Sequence, residues 1–364
     1  MQELPLQHRH EAACAKFGEF AGYRMPLYYS KPIEEHHTVR KAVGVFDITH
    51  MGQFVAEGEQ VEAFLQYALP NDVTTMQDGY ALYSPLCRED GGVLDDLIIY
   101  RHSPRHYRII VNAGNRERDF QWLEGLAGRF EVGLRDVSSG HCLFAVQGPE
   151  AFARLRGELE HSPGDLGYYR FTETRGFGVP LFTARTGYTG EPGCEIAMAR
   201  EHAEQVWDQL TGSLGITPIG LAARDTLRLE ACMALYGHEL REEWNPLECG
   251  LGWTVKLKGE QDFLGKQALL TVKERGVAYK LVGLEVTGRG IPRGDYPVLD
   301  ESGAEAGVVT SGAMTPTTGR PLAMARVKAS LAALDTRLLV EIRGKQLQAR
   351  VVSRPFYKNP ALRA

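Results

Sequence analysis

The sequence predicts an α+β fold followed by a small all-β C-terminal region, on three observations. Strand-like runs alternate with helical spacings over the first three quarters of the chain, and the segment 80–112 reads strand, turn, strand, loop, strand. From about Val277 the helical spacings give way to short β-like runs separated by Gly, Asp and Pro. A length of 364 residues with 43% hydrophobic side chains is enough for two or three domains, each with its own core.

In YALYSPLC, REDGG, VLDDLIIY, HSPRH and YRIIVN (80–112) the short Gly-bearing connection marks an antiparallel hairpin. The strand period of two puts Leu94, Asp96, Ile98 and Tyr100 on one face and Asp95, Leu97 and Ile99 on the other. Asp95 and Asp96 therefore cannot share one site, and one of them must turn inward. On the residues alone, the favoured reading is a strand-entry pair tied by hydrogen bonds to the Gly91-Gly92 turn. Between 201 and 214, Ala203, Val206, Trp207, Leu210 and Leu214 follow the helical spacing, which predicts an amphipathic helix on a sheet.

RTGYTGEPGCE (185–195) gathers Gly187, Gly190, Gly193 and, just upstream, Gly178 around Tyr188 and two carboxylates, Glu191 and Glu195. Such a loop lets the backbone bend tightly and approach a ligand. One helix-length later, GLAARDTLRLEACMALYG (220–237) reads as a helix with Arg224 and Arg228 on one face and Asp225 three residues before Arg228. The runs LVGLEVTG, GVVTSG, LAMARV and RLLVEIRGKQLQARVVSRPF then predict the all-β domain.

A net charge of -5 without a long Lys/Arg run argues against nucleic acid or an anionic membrane as the main partner. Six cysteines without CxxC spacing read as reduced thiols of a cytoplasmic protein rather than as a zinc site or disulfide framework. No metal is expected, since His36-His37 lacks the i, i+4 spacing of helix ligands; with GxxxxGK[ST] and GxSxG both missing, neither a phosphate loop nor a nucleophile elbow is expected. The N-terminus carries glutamates and no apolar core, so neither a signal nor a transit peptide is expected, and no apolar run reaches the roughly 18 residues of a membrane span. Arg293-Gly294-Asp295 reads as a turn.

Several segments occur in a specific order: FAGYRMPLYY (20–29), VGVFDITHMG (43–52), DGGVLDDLIIY (90–100), VNAGN (111–115), QGP (147–149), the two segments at 185–195 and 220–237, and VTSGAMTP (309–316). Together they make the chain resemble the tetrahydrofolate-using aminomethyltransferase, or T-protein, family of the glycine cleavage system. Thr49, Pro192, Cys194 and Cys232 depart from the family pattern, Cys232 standing where Gly is common. The resemblance implies two intertwined α+β subdomains (1–276) and a C-terminal β-barrel (277–364) around a central folate channel. It also implies transfer of the one-carbon unit of an aminomethyl group, held on the lipoyl arm of a carrier H-protein, to tetrahydrofolate with release of ammonia.

Residue by residue, the resemblance makes Asp96 the carboxylate carried to the folate bridge nitrogen. It favours Glu195 over the rival Glu191 as the pterin reader, a role a carboxylate fills by accepting from an exocyclic amine and a ring N–H side by side. Arg224 offers a fork of donors to the pterin carbonyl or the ligand's carboxylates. Tyr83, Tyr188 and Tyr236 stack or hydrogen-bond around the ligand, Asn112 adds a polar contact from the third strand, and Arg363 falls near the folate tail by its spacing from Pro355-Phe356. Core packing is the default for each tyrosine, and His50 and Arg228 read as structural. Two other readings stay open: a folate-dependent demethylase needing no lipoyl carrier, and a non-catalytic folate-binding assembly factor. The latter is disfavoured because LYGHELREEW follows the helix where such relatives carry a KGCYxGQE-type segment.

Overall fold

A computed structural model describes residues 1–363. Its α+β part is built on a five-stranded and a six-stranded sheet, with a small three-stranded sheet beside them. The five-stranded sheet runs Tyr80–Cys87, Val93–Ser103, His106–Val111, Gly52–Glu57, Gly133–Asp136, antiparallel throughout. The six-stranded sheet runs Phe171–Gly176, Val179–Ala184, Gly193–Ala199, His141–Gln147, Gly44–Asp47, Thr217–Pro218. Gly44–Asp47 precedes every strand of the five-stranded sheet and the other five follow them, so the two halves are intertwined along the chain as expected.

The strand Val93–Ser103 separates two environments. Leu97 and Ile99 pack with Phe54, Phe64 and Leu123 beneath the helices Val61–Ala68 and Arg116–Ala127. Ile98 and Tyr100 face the other way, toward Phe46, Phe182 and Ala197 of the six-stranded sheet. A one-residue alternation therefore decides whether a side chain meets a helix or the space between the sheets.

The helix expected over 201–214 forms as Ala203–Asp208 and continues into a π-turn at Gln209–Ser213, burying Ala203, Val206, Trp207 and Leu210. The helix read over 220–237 is shorter than expected, spanning only Leu221–Glu230. Cys232 takes a left-handed φ of 54°, its N–H bonds Leu229 O at 3.0 Å, and the Met233 N–H bonds Arg228 O at 2.9 Å. This is the Schellman arrangement, and it stops the helix. Glycine adopts this left-handed conformation most readily, and this chain's Cys at 232 places a side chain in it.

The C-terminal part closes into a six-stranded antiparallel barrel in the order Tyr279–Val286, Arg320–Lys328, Glu305–Thr315, Pro297–Leu299, Arg337–Ile342, Lys345–Val352. The three-residue strand Pro297–Leu299 was not anticipated from the sequence, being too short to show a period, yet it joins two longer strands and closes the barrel. A buried ion pair outside the barrel ties it to the rest through hydrogen bonds. Arg228 bonds Glu239 Oε2 at 2.7 Å and Ser311 Oγ at 2.8 Å, so its role is structural. Breaking one partner of such a pair costs about 3 to 5 kcal/mol. No helix among the described residues is long and apolar enough to cross a membrane.

Candidate functional site

Asp96 and Asp95 do turn to opposite faces, with different consequences. Asp95 is 0% exposed on the helix-packed face and accepts from the Asn112 N–H at 3.1 Å, Asn112 Nδ2 at 2.8 Å and Asn115 Nδ2 at 2.7 Å. Asp96 stays partly exposed; its Oδ1 accepts from Asn112 Nδ2 and its Oδ2 from the Tyr83 hydroxyl, both at 2.8 Å. The Asn112 amide thus spans both carboxylates, so the two are coupled although they do not share a face. Loss of hydration, then the charge of Asp95, pushes the Asp96 carboxyl up to about 7, against the opposing hydrogen bonds of Tyr83 and Asn112. The strand-entry expectation fails on this point, because the turn at Gly92 is bonded by Asp90 at 3.0 Å instead.

Glu195 pairs with Ala145 and Ala184 within its sheet. Its Oε2 accepts from Thr186 Oγ1 at 2.6 Å and sits 3.5 Å from the Tyr100 hydroxyl, while no described donor reaches its Oε1. Burial raises its carboxyl above the ordinary range, with Thr186 and Arg224 working against the rise. Glu191 is different. It is buried, with Oε1 held by Arg40 at 2.9 Å and Oε2 by Asn359 at 2.5 Å, so its capacity is taken up inside the protein.

The loop glycines serve the protein rather than a ligand. A Cβ on Gly187 would fall 2.1 Å from Gln147 Oε1, and one on Gly193 would fall 2.3 Å from Val146 O. Gln147 in turn bonds Thr186 O at 3.1 Å and accepts from Thr189 Oγ1 at 2.9 Å. The close approach read from the sequence is thus to the neighbouring strand, and Gly178 lies apart, in the turn between Phe171–Gly176 and Val179–Ala184. The consequence is a rigid loop that fixes Glu195.

Arg224 stands 4.8 Å above the Tyr188 ring, and its guanidinium makes no hydrogen bond or ion pair among the described residues. Desolvation weakens its hold on the proton, partly offset by the charges of Tyr188 and Glu195. The Tyr188 hydroxyl donates to Ala234 O, and its phenol, raised chiefly by burial, feels Arg228, Asp96 and Arg224. Tyr236 packs in one apolar cluster with Tyr83, Val93 and Trp244, with Arg118 5.2 Å above its ring. Arg363 lies exposed, 5.5 Å over the Tyr168 ring. His50 is buried, its Nδ1 meets no partner among the described residues, and burial lowers its imidazole to about 3.

The structure therefore gathers Tyr83, Asp96, Asn112 and Tyr236 on one side and Glu195, Arg224 and Tyr188 on the other, with Arg363 exposed over Tyr168. Three participants were missed. Tyr169, at a left-handed φ of 61°, is raised chiefly by burial and feels the charges of both Glu195 and Asp96. Trp253 is 64% exposed and stacks on Tyr83 with centroids 6.1 Å apart and planes 20° from parallel. Asn115, three residues after Asn112, was the legible one, since a 3₁₀ turn at 113–115 aims both amides at Asp95.

A pterin edge fits this set on chemical grounds. Glu195 has one oxygen fixed and one open to donors, and Arg224 is a partly exposed fork that makes no hydrogen bond among the described residues. Among the described residues no group of three or more His, Cys, Asp or Glu is arranged to hold a metal ion.

The comparisons with known proteins bear on the same chain from end to end. The family model for the GCVT N-terminal domain matches residues 6–259, and that for the glycine cleavage T-protein C-terminal barrel domain matches 280–358. An aminomethyltransferase of Desulfitobacterium hafniense is 44% identical over 361 residues, covering 98% of each chain. One from Chloroherpeton thalassium is 45% identical over 364 residues, covering 99% of this chain and 100% of its own. The crystal structure of glycine cleavage system aminomethyltransferase T from Bartonella henselae superposes with a TM-score of 0.93 at 37% identity, covering 98% of each chain. With the mixed sheets, the closed barrel and the full-length matches in agreement, the chain belongs to the glycine cleavage T-protein family of aminomethyltransferases.

Proposed function

We propose that this protein is a tetrahydrofolate-dependent aminomethyltransferase of the glycine cleavage system. It takes the one-carbon unit of an aminomethyl group carried on the lipoyl arm of an H-protein and releases ammonia. The observation that carries the reading is the contrast between Glu191 and Glu195 together with Asp96. Glu191 is consumed by Arg40 and Asn359, whereas Glu195 keeps an open oxygen and Asp96 is partly exposed with its titration near neutrality.

Bound tetrahydrofolate supplies the nitrogens that take up the one-carbon unit. Glu195 and Arg224 hold its pterin edge, Tyr188 and Tyr236 flank it, and Arg363 meets its tail. Asp96 offers a carboxylate where positive charge develops as ammonia leaves, and it holds or releases a proton at Oδ2, where Tyr83 donates. Tyr83 and Asn112 keep that carboxylate oriented, so alignment supplies part of the rate. The division near residue 276 between the folate-binding region and the barrel belongs to the same proposal. Free thiols, four of them buried, fit a reducing compartment, the cytoplasm.

Incubation with aminomethyl-loaded lipoyl carrier, with and without tetrahydrofolate, tests the reading. Ammonia release that rises with folate supports it. Release indifferent to folate contradicts it, and no release from a competent carrier favours a non-catalytic folate binder.

A further inference from the structure

Behind the Asp95 carboxylate lies a third acid that the reading above leaves without a task. Asp119, on the helix Arg116–Ala127, is 0% exposed, and neither of its oxygens meets a donor among the described residues. The Asp95 carboxyl, likewise 0% exposed on the helix-packed face, is the side chain that acts on it most strongly. Two ionised, desolvated carboxylates that act on one another repel strongly, so one of such a pair keeps a proton.

The donor count decides which. Asp95 already accepts three N–H bonds, from the Asn112 backbone and the Asn112 and Asn115 amides, all of which favour its ionised form. Asp119 receives none. Its cationic neighbour Arg118 is directed to Leu94 O and to Glu242 Oε2, and faces Tyr236. The charges on the elements packed around it are otherwise engaged: Asp136 with Arg116 at 2.7 Å, and Glu62 with Arg101 at 2.5 Å. Asp95 and Asp96 are the remaining charges it faces.

We propose that Asp119 is a positioning residue for Asp96, a neutral carboxylic acid that donates to Asp95 and thereby draws Asp95's negative charge away from the Asn112 amide and the Asp96 carboxylate beyond it. The chain runs Asp119 to Asp95, Asp95 to the Asn112 amide, and that amide to Asp96 Oδ1 at 2.8 Å. Burial first, then the Asp95 carboxyl, raises the Asp119 carboxyl far above the carboxylate range, in the same direction as the donor count. Without the donor, Asp95's charge sits undivided beside Asp96 and makes Asp96 harder to ionise. This inference rests on Asp96 being the working carboxylate, and one of its two tests does not.

The first test is infrared difference spectroscopy of wild type against Asp119→Asn at about pH 9, above the range in which Asp96 titrates. A carbonyl stretch of a protonated carboxylic acid, present in wild type and lost in the variant, is expected. No such band overturns the proposal, whatever the reaction proves to be. The second compares Asp119→Asn, which keeps a neutral donor of the same shape, with Asp119→Leu, which removes it. The Asn variant is expected to keep turnover within about threefold and the acid limb of kcat/KM unmoved. The Leu variant is expected to lose about tenfold in kcat with that limb displaced to higher pH and folate affinity unchanged. An Asn variant as impaired as the Leu variant, or a Leu variant with the wild-type profile, overturns the positioning role. If Asp119→Leu does not fold, a defective Asn variant still overturns it, and one with the wild-type profile together with the band supports it.

Discussion

Tyr83 and Asp96 meet diagonally across the hairpin of Tyr80–Cys87 and Val93–Ser103, the phenol donating to Asp96 Oδ2 at 2.8 Å, because Pro85 rather than Tyr83 lies directly opposite Asp96 in the register. That bond holds the carboxyl below where burial alone would put it. Tyr83→Phe is therefore expected to move the acid limb of kcat/KM above the value near 7 set by Asp96, with turnover down about tenfold and folate affinity nearly intact. A pH profile measured on both forms checks the direction; an unmoved limb contradicts the role given to the phenol.

Asp96 and Asp95 are expected to differ in stability as sharply as in function. A carboxyl raised in the folded state keeps a proton that the unfolded chain has released, so between about pH 4 and 7 folding stability falls as pH rises. Asp96→Asn removes that penalty and should raise the melting temperature at about pH 8. Asp95→Asn replaces an acceptor of three hydrogen bonds in a fully buried site and should lower it. Thermal unfolding of both variants decides between opposite signs.

The two carboxylates of the glycine-rich loop separate in the same way. Glu195→Gln puts a donor where a pterin edge needs acceptors, and a loss of about 1 to 3 kcal/mol in folate binding is expected with folding unchanged. Glu191→Gln weakens a buried pair with Arg40 and should cost stability before affinity. Titration calorimetry on folded protein that found affinity lost in Glu191→Gln and kept in Glu195→Gln would move the pterin contact to Glu191.

His50 gives the protein an acid sensitivity of its own. Burial lowers its imidazole to about 3, so the folded state stays neutral while the unfolded chain binds a proton below the ordinary histidine value. Stability from this group is complete above about pH 6.5 and declines as pH falls from there toward 3, by roughly 2 kcal/mol at about pH 5. His50→Gln should flatten the dependence of melting temperature on pH across that window. An unchanged slope would show that other groups govern acid unfolding.

Period-two and helical spacings made the central hairpin, the helix at 203–208 and most of the barrel legible in the sequence, because each buries a regular apolar face. They also separated Asp95 from Asp96. The early end of the helix at Glu230 was less legible, since the cap is a non-glycine residue, Cys232, in a left-handed conformation. The use of the loop glycines depended on a partner 40 residues away in sequence, Gln147, which no local pattern announces. Trp253 and Tyr169 escaped for a similar reason. They reach Tyr83 and the charges of the two carboxylates through segments without a period, and a lone aromatic in such a segment reads as core.

The most direct test of the account is single-turnover release of ammonia from aminomethyl-loaded lipoyl carrier in the presence of tetrahydrofolate, for wild type, Asp96→Asn and Asp95→Asn side by side. The amide at 96 keeps shape and removes charge, so a rate lower by ~10² to 10⁴ is expected there, with folate affinity within several-fold and Asp95→Asn much closer to wild type. Full carrier-dependent turnover in Asp96→Asn would contradict the account, leaving alignment of the two reactants as the source of the rate.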